Sequence, residues 1–193
     1  KIAKDSLLQK TQGQEAKFQQ LLEQSREEQR QLNNELIYLE KVGREKLNRQ
    51  LALQAIETDG LMWPVASRII TAYFHDQSYP YKYLFEHNAI DLATSQGTPI
   101  RAAESGYVAK VRDGGQNGYS YLMIIHPDNL STVYGHLNQI NISTDQFISK
   151  GQIIGYSGGL PGTRGAGPFS TGPHLHFEVR YNGIPTNPLN YLP

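Results

Sequence analysis

The stretch TGPHLHFEV, Thr171 to Val179, decides how the chain is read. Two histidines stand one residue apart inside a run that otherwise has the character of a core strand. In a β-strand, alternate side chains point to opposite faces. Leu175, Phe177 and Val179 then share one face, and His174, His176 and Glu178 share the other. The first face suits a hydrophobic core and the second is a chemical surface. Glu178 either supports the histidines or pairs with Arg180 on the same face.

Similar short apolar runs surround this strand. IRAAESGYVAKV, YSYLMIIHPDN, LSTVYGHL and GQIIGYSGG each read as a strand or a strand with its turn, with PDN and YNG as turn signals. Their spacing predicts an all-β barrel or sandwich over residues 64–193. The first part of the chain is different. Residues 1–60 contain no proline and only two aromatics, Phe18 and Tyr38, and are rich in Gln, Glu, Lys, Arg and Leu. Leu32, Leu36, Leu39, Val42, Leu47, Leu51, Leu53 and Ile56 follow helical spacing. The polar run SREEQR and Gly43 interrupt it. We therefore expect a long helix or broken coiled-coil arm over 1–57, with its exit at Thr58 to Gly60 and a linker over 58–63. Such an arm is either a partner-binding element or a spacer whose stripe a second helix must cover.

The chain has 18 basic and 18 acidic residues among its 193. Net neutrality gives no electrostatic reason to expect nucleic acid. With no cysteine, disulfides and thiolate metal sites are excluded. The chain opens at Lys1 and has neither a signal-peptide pattern nor a long apolar run, as expected of a mature or trimmed chain without a transmembrane segment.

Among the six histidines, His87 stands four residues before Asp91. The two share a face on either a strand or a helix, so they can meet one ion in both cases. Imidazole nitrogen and carboxylate oxygen are both zinc ligands. With either His174 or His176 they make a three-ligand set, and the remaining histidines, including His136 in VYGHL, are free to move protons. His75 and His126 lie outside this pattern and are read as exposed or structural.

HNAID, VYGHL and STGPHLHFEV, in that order, resemble the lysostaphin/LytM-type zinc endopeptidases that cut bacterial cell-wall peptide. GTPIRAAESGYV resembles the family's strand pair after the first motif. The resemblance spans about residues 61–193. It implies an antiparallel LytM-like domain and one Zn²⁺ held by His87, Asp91 and His176, with His136 and His174 as catalytic histidines. It also implies a peptidoglycan substrate and a location outside the cytoplasm. Two stretches depart from the family pattern: the long loop Gly158 to Ser170 and the tyrosine-rich approach Ala72 to His87. Tyr81 and Tyr83, at alternating positions there, are candidates to bind an extended peptide.

Three functions compete on these residues. The first is a zinc endopeptidase acting on cross-links or stem peptides, where a helical arm favours a D-alanyl link by family analogy. The second is a catalytically silent regulator that activates a cell-wall amidase, with residues 1–57 binding a helical partner or a second copy. The third, a lipoyl-type carrier barrel, leaves the histidine motifs unexplained. An arm folded back on the groove would combine the first two.

Overall fold

The computed structural model describes residues 2–51, 59–116 and 118–193, and within the first segment the side chains of 14–49. Among the described residues, one helix, α1 (Ile2–Leu51), precedes eleven strands. These are β1 (Ile70–Ala72), β2 (Ile90–Ala93), β3 (Pro99–Arg101), β4 (Gly106–Arg112), β5 (Tyr121–Ile125) and β6 (Leu130–Gly135). They continue with β7 (Leu137–Ile140), β8 (Phe147–Ile148), β9 (Ile153–Ser157), β10 (His174–Tyr181) and β11 (Ile184–Thr186), followed by a short 3₁₀ turn at Pro188–Asn190. The expected all-β domain is thus present, behind a single N-terminal helix.

All the strand pairs are antiparallel. The larger sheet has eight strands, ordered β1-β2-β10-β6-β5-β4-β8, with β11 also on β10. The smaller sheet is β3-β9-β7. Strand β10 lies inside the larger sheet: His176 pairs with Asp91 of β2 on one side and with Gly135 of β6 on the other. This register brings all three histidine-bearing segments together.

The larger sheet has two covered faces. Val108, Leu122, Ile124, Tyr134, Leu175, Phe177 and Val179 point into the main core, which the smaller sheet closes with Ile100, Leu137 and Ile154. Leu61, in the expected linker, also packs there. Tyr107, Ala109, Tyr121, Met123, Ile125 and Val133 point the other way and are covered by α1 through Leu32, Leu36, Leu39 and Leu47. Leu36 and Leu47 are fully buried, each contributing about 2 kcal/mol by removal from water. Among the described residues, the stripe from Leu32 to Leu47 is therefore covered by the chain's own sheet. Leu53, Ile56 and the exit at Thr58 lie outside the described residues.

Gly43 has a different role from the one its sequence position suggests. A Cβ there would stand 2.7 Å from Ile125 Cγ1, 3.3 Å from Ala109 Cβ and 3.4 Å from Tyr107 Cδ1. The glycine marks a close approach of helix to sheet, not a break in the stripe. Polar contacts tie down the second half of the helix. Arg44 donates to the carbonyls of His126 and Leu130, Lys46 reaches Tyr107 and Asp145, and Lys110 reaches Glu35.

Candidate metal centre and cleft

The polar face of β10 lies on the helix side of the sheet, where the first half of the strand is left uncovered. His176 projects there beside Asp91, its neighbour on β2. His87 reaches the same point from the loop before β2. His87 Nε2 and His176 Nδ1 each lie 3.1 Å from Asp91 Oδ1. One donor atom from each of His87, Asp91 and His176 falls within 4.8 Å of the others. Among the described residues this is the only such cluster.

The donor set fits zinc on the chemistry of its atoms. Each histidine of the cluster has its other ring nitrogen committed elsewhere, which orients the ring. His87 Nδ1 donates to the Tyr73 carbonyl at 2.8 Å, leaving Nε2 toward the cluster. His176 Nε2 lies 3.5 Å from Glu178 Oε1, leaving Nδ1 toward the cluster. Burial alone would push the Asp91 carboxyl up, but hydrogen bonds from His176 and His87 hold it far below the usual carboxylate range. Burial likewise acts against a charged His176, yet Asp91 and Glu178 reverse this and raise it to about 9.

His136 and His174 form the second pair, with ring centroids 4.4 Å apart. His136 Nδ1 donates to the Ala166 carbonyl at 2.8 Å and His174 Nδ1 to the Gly172 carbonyl at 2.7 Å. Each ring then offers Nε2 as its remaining lone pair. His174 Nε2 stands 3.6 Å from Asp91 Oδ2. Burial, with neighbouring histidines adding to it, lowers His136 to about 3. His174 is also lowered, first by burial. Both are neutral at pH 7. His136 has φ of 58°, the left-handed region. It is the single residue between β6 and β7 and carries the chain from the larger sheet to the smaller. Holding a non-glycine residue there costs about 1 kcal/mol, a strain typical of functional positions.

Tyr119 edges onto the His136 ring at 5.0 Å and sits over Gly135. Sequence reasoning did not single it out. Its only signal was proximity to the β5 run.

The cleft around these groups has a volume of about 510 Å³. Tyr79, Phe85 and Phe169 form an aromatic wall, with Tyr79 stacked on His87 at 4.3 Å. Neither Tyr81 nor Tyr83 lines it. Tyr81 packs edge-on against Phe169, and Tyr83 is 76 % exposed. The reason is local: residues 74–85 form successive turns rather than a strand, so alternation does not apply. Outside the cluster, His75 stacks on Phe74 near the surface, while His126 is buried between the Ser105 carbonyl and the Thr132 hydroxyl. The opposite wall of the cleft is α1, through Glu28, Gln31, Leu32 and Glu35.

A two-sheet antiparallel domain carrying a His–Asp–His donor set beside two neutral histidines defines a class of peptidase. Residues 85–188, more than half of the chain, match the sequence model of Peptidase family M23, and the chain belongs to that family. The DD-carboxypeptidase/endopeptidase Mpg of Neisseria meningitidis is 38% identical over 105 residues, covering 54% of this chain and 22% of that protein. The stage II sporulation protein Q of Bacillus subtilis is 34% identical over 105 residues, 53% of this chain and 35% of that protein. A zinc-containing peptidase from Vibrio cholerae superposes with a TM-score of 0.55 at 34% identity, over 66% of this chain and 39% of that one. The chain thus spans between about a fifth and two fifths of the length of these relatives. Among the described residues, no helix is long and apolar enough to cross a membrane.

Proposed function

We propose that this chain is a zinc-dependent endopeptidase that hydrolyses peptide links of bacterial peptidoglycan outside the cytoplasm. The observation that carries the reading is the convergence of His87 Nε2, Asp91 Oδ1 and His176 Nδ1 beside two histidines held neutral. His87, Asp91 and His176 would hold the ion. Zinc bound by one carboxylate and two neutral imidazoles supplies Lewis acidity to a carbonyl oxygen and to water.

The chain's own groups supply the rest. With Nδ1 of both rings donating to backbone carbonyls, Nε2 of His136 or His174 accepts a proton from the attacking water without first losing one. The ring that has taken this proton, now an imidazolium, then returns it from Nε2 to the leaving amine. The aromatic wall of Tyr79, Phe85 and Phe169 and the facing helix leave a slot that suits an extended peptide. The names of relatives such as Mpg support a D-alanyl cross-link as the substrate.

A digestion assay on purified peptidoglycan tests this. The expected result is release of cut cross-links by the zinc-loaded chain and loss of that release in His174→Ala. Intact cross-links with zinc bound would favour the second reading, a silent regulator that engages a partner such as an amidase or a second copy. That reading draws on the helical wall of the cleft and on a relative named for sporulation rather than for proteolysis.

A further inference from the structure

The polar face of β10 continues beyond the metal cluster. His174, His176, Glu178 and Arg180 stand in a row along the strand, and its far end runs beneath α1. Glu178 bridges the two ends: Oε1 faces His176 Nε2 at 3.5 Å, and Oε2 accepts from Arg180 Nη1 at 2.8 Å. Arg180 is 1 % exposed. Its Nε donates to the Gly183 carbonyl at 3.1 Å, and its Nη2 to Asn33 Oδ1 of α1 at 2.6 Å. The chain of contacts therefore runs from the helix to a ligand histidine without a gap.

Physical chemistry gives this row consequences. A buried guanidinium needs its donors matched, because an unpaired donor in a low-dielectric interior costs more than a surface one. If Asn33 leaves, Nη2 loses its partner, and the guanidinium fork, still held through Nε and Nη1, can tilt toward a new acceptor. The Glu178 carboxylate, held by that fork on one oxygen, then loosens its grip on His176 with the other. A ligand histidine is oriented by what its second nitrogen bonds.

We propose that Asn33 is a positioning residue for the metal centre, acting through Arg180 and Glu178 to keep Nδ1 of His176 turned toward His87 and Asp91. This rests on the reading of those three residues as the zinc set. One contact of α1, Asn33 on Arg180, then supports the ion site, apart from the apolar docking of the helix. The helix does more than wall the cleft, because loss of Asn33 slackens a ligand.

Zinc affinity of the full chain, read by competition with a chromophoric chelator, tests the proposal without reference to turnover. Three variants are compared with the wild type. Asn33→Ala removes the acceptor, Asn33→Asp keeps it, and Leu39→Ala weakens the helix contact without touching the row. The wild type is expected to take up one zinc. Asn33→Ala should bind about 10-fold more weakly, or worse. Asn33→Asp and Leu39→Ala should stay near wild type. Wild-type affinity in Asn33→Ala would overturn the proposal while leaving the zinc site standing. Equal weakening in Leu39→Ala would overturn it too, by assigning the effect to helix docking in general. A wild type that takes up no zinc would sink the parent reading, and the proposal with it.

Discussion

Replacing Gly43 by alanine gives opposite answers on an isolated helix and on this one. In a solvated helix interior the change stabilises by about 1 kcal/mol, because alanine loses less backbone entropy. Here the added Cβ would meet Ile125 Cγ1 at 2.7 Å, whereas carbon atoms rest at about 3.5–4.0 Å. Roughly 1 Å must be opened. Ile125 is fully buried, and Ala109 and Tyr107 already stand 3.3 and 3.4 Å away and block sideways retreat. Overpacking of this kind costs about 1–3 kcal/mol. Taking about 2 against the gain of about 1, Gly43→Ala should destabilise by about 1 kcal/mol, lowering Tm by about 2–4 °C for a chain of this size. Calorimetry gives the sign, and hydrogen exchange in α1 locates it, since the helix amides should lose protection before those of β5. A variant that melts higher by the same margin would refute the close approach, and with it the account of how the helix is seated.

Other outcomes follow from the same geometry. His174→Ala and His136→Ala should each lower turnover by about 10²–10⁴ while zinc content, measured by atomic emission, stays near one per chain; Asp91→Asn should lose the zinc itself. Gly135→Ala would place a Cβ on the Tyr119 hydroxyl and 2.9 Å from ring carbon Cζ, so activity should fall and Tyr119→Phe in the same chain should restore part of it. Burial lowers His126 from 6.5 to about 4. The unfolded chain therefore takes a proton that the folded chain refuses, and stability that is complete above about pH 6.5 is lost as pH falls toward 4, by about 3 kcal/mol. Urea titrations at pH 7 and pH 4.5 should show a smaller difference for His126→Gln than for the wild type. Arg44→Ala leaves Glu40, 5 % exposed, without its guanidinium. It should cost about 3 kcal/mol in the same titration, more than any exposed ion pair on the helix.

The legible part of the chain was that governed by periodicity. Alternation in His174 to Val179 separated the core face from the polar face because β10 is a regular strand with both flanks paired. The four-residue step from His87 to Asp91 was readable without knowing the element, since both faces it allowed lead to one point. Glu178 was left between two roles, and its two carboxylate oxygens fill both. Tyr81 and Tyr83 misled because alternation was assumed where Pro80 and its neighbours make turns. A hydrophobic stripe says that a face is covered but not by what, so Leu36 and Leu47 could not announce the sheet, and Gly43 looked like a defect. Asn33 carries no local signal at all: its partner Arg180 is 147 residues away.

The seating of α1 on β4, β5 and β6 also imposes an order of events during synthesis. The helix leaves the ribosome before any strand it rests on. At ordinary elongation rates Val133 follows Leu47 by on the order of ten seconds. Through that interval Leu36 and Leu47 have nothing to bury against, and an exposed leucine stripe is a holdase target and an aggregation risk. The nascent molecule therefore carries this apolar stripe in the open until its sheet exists.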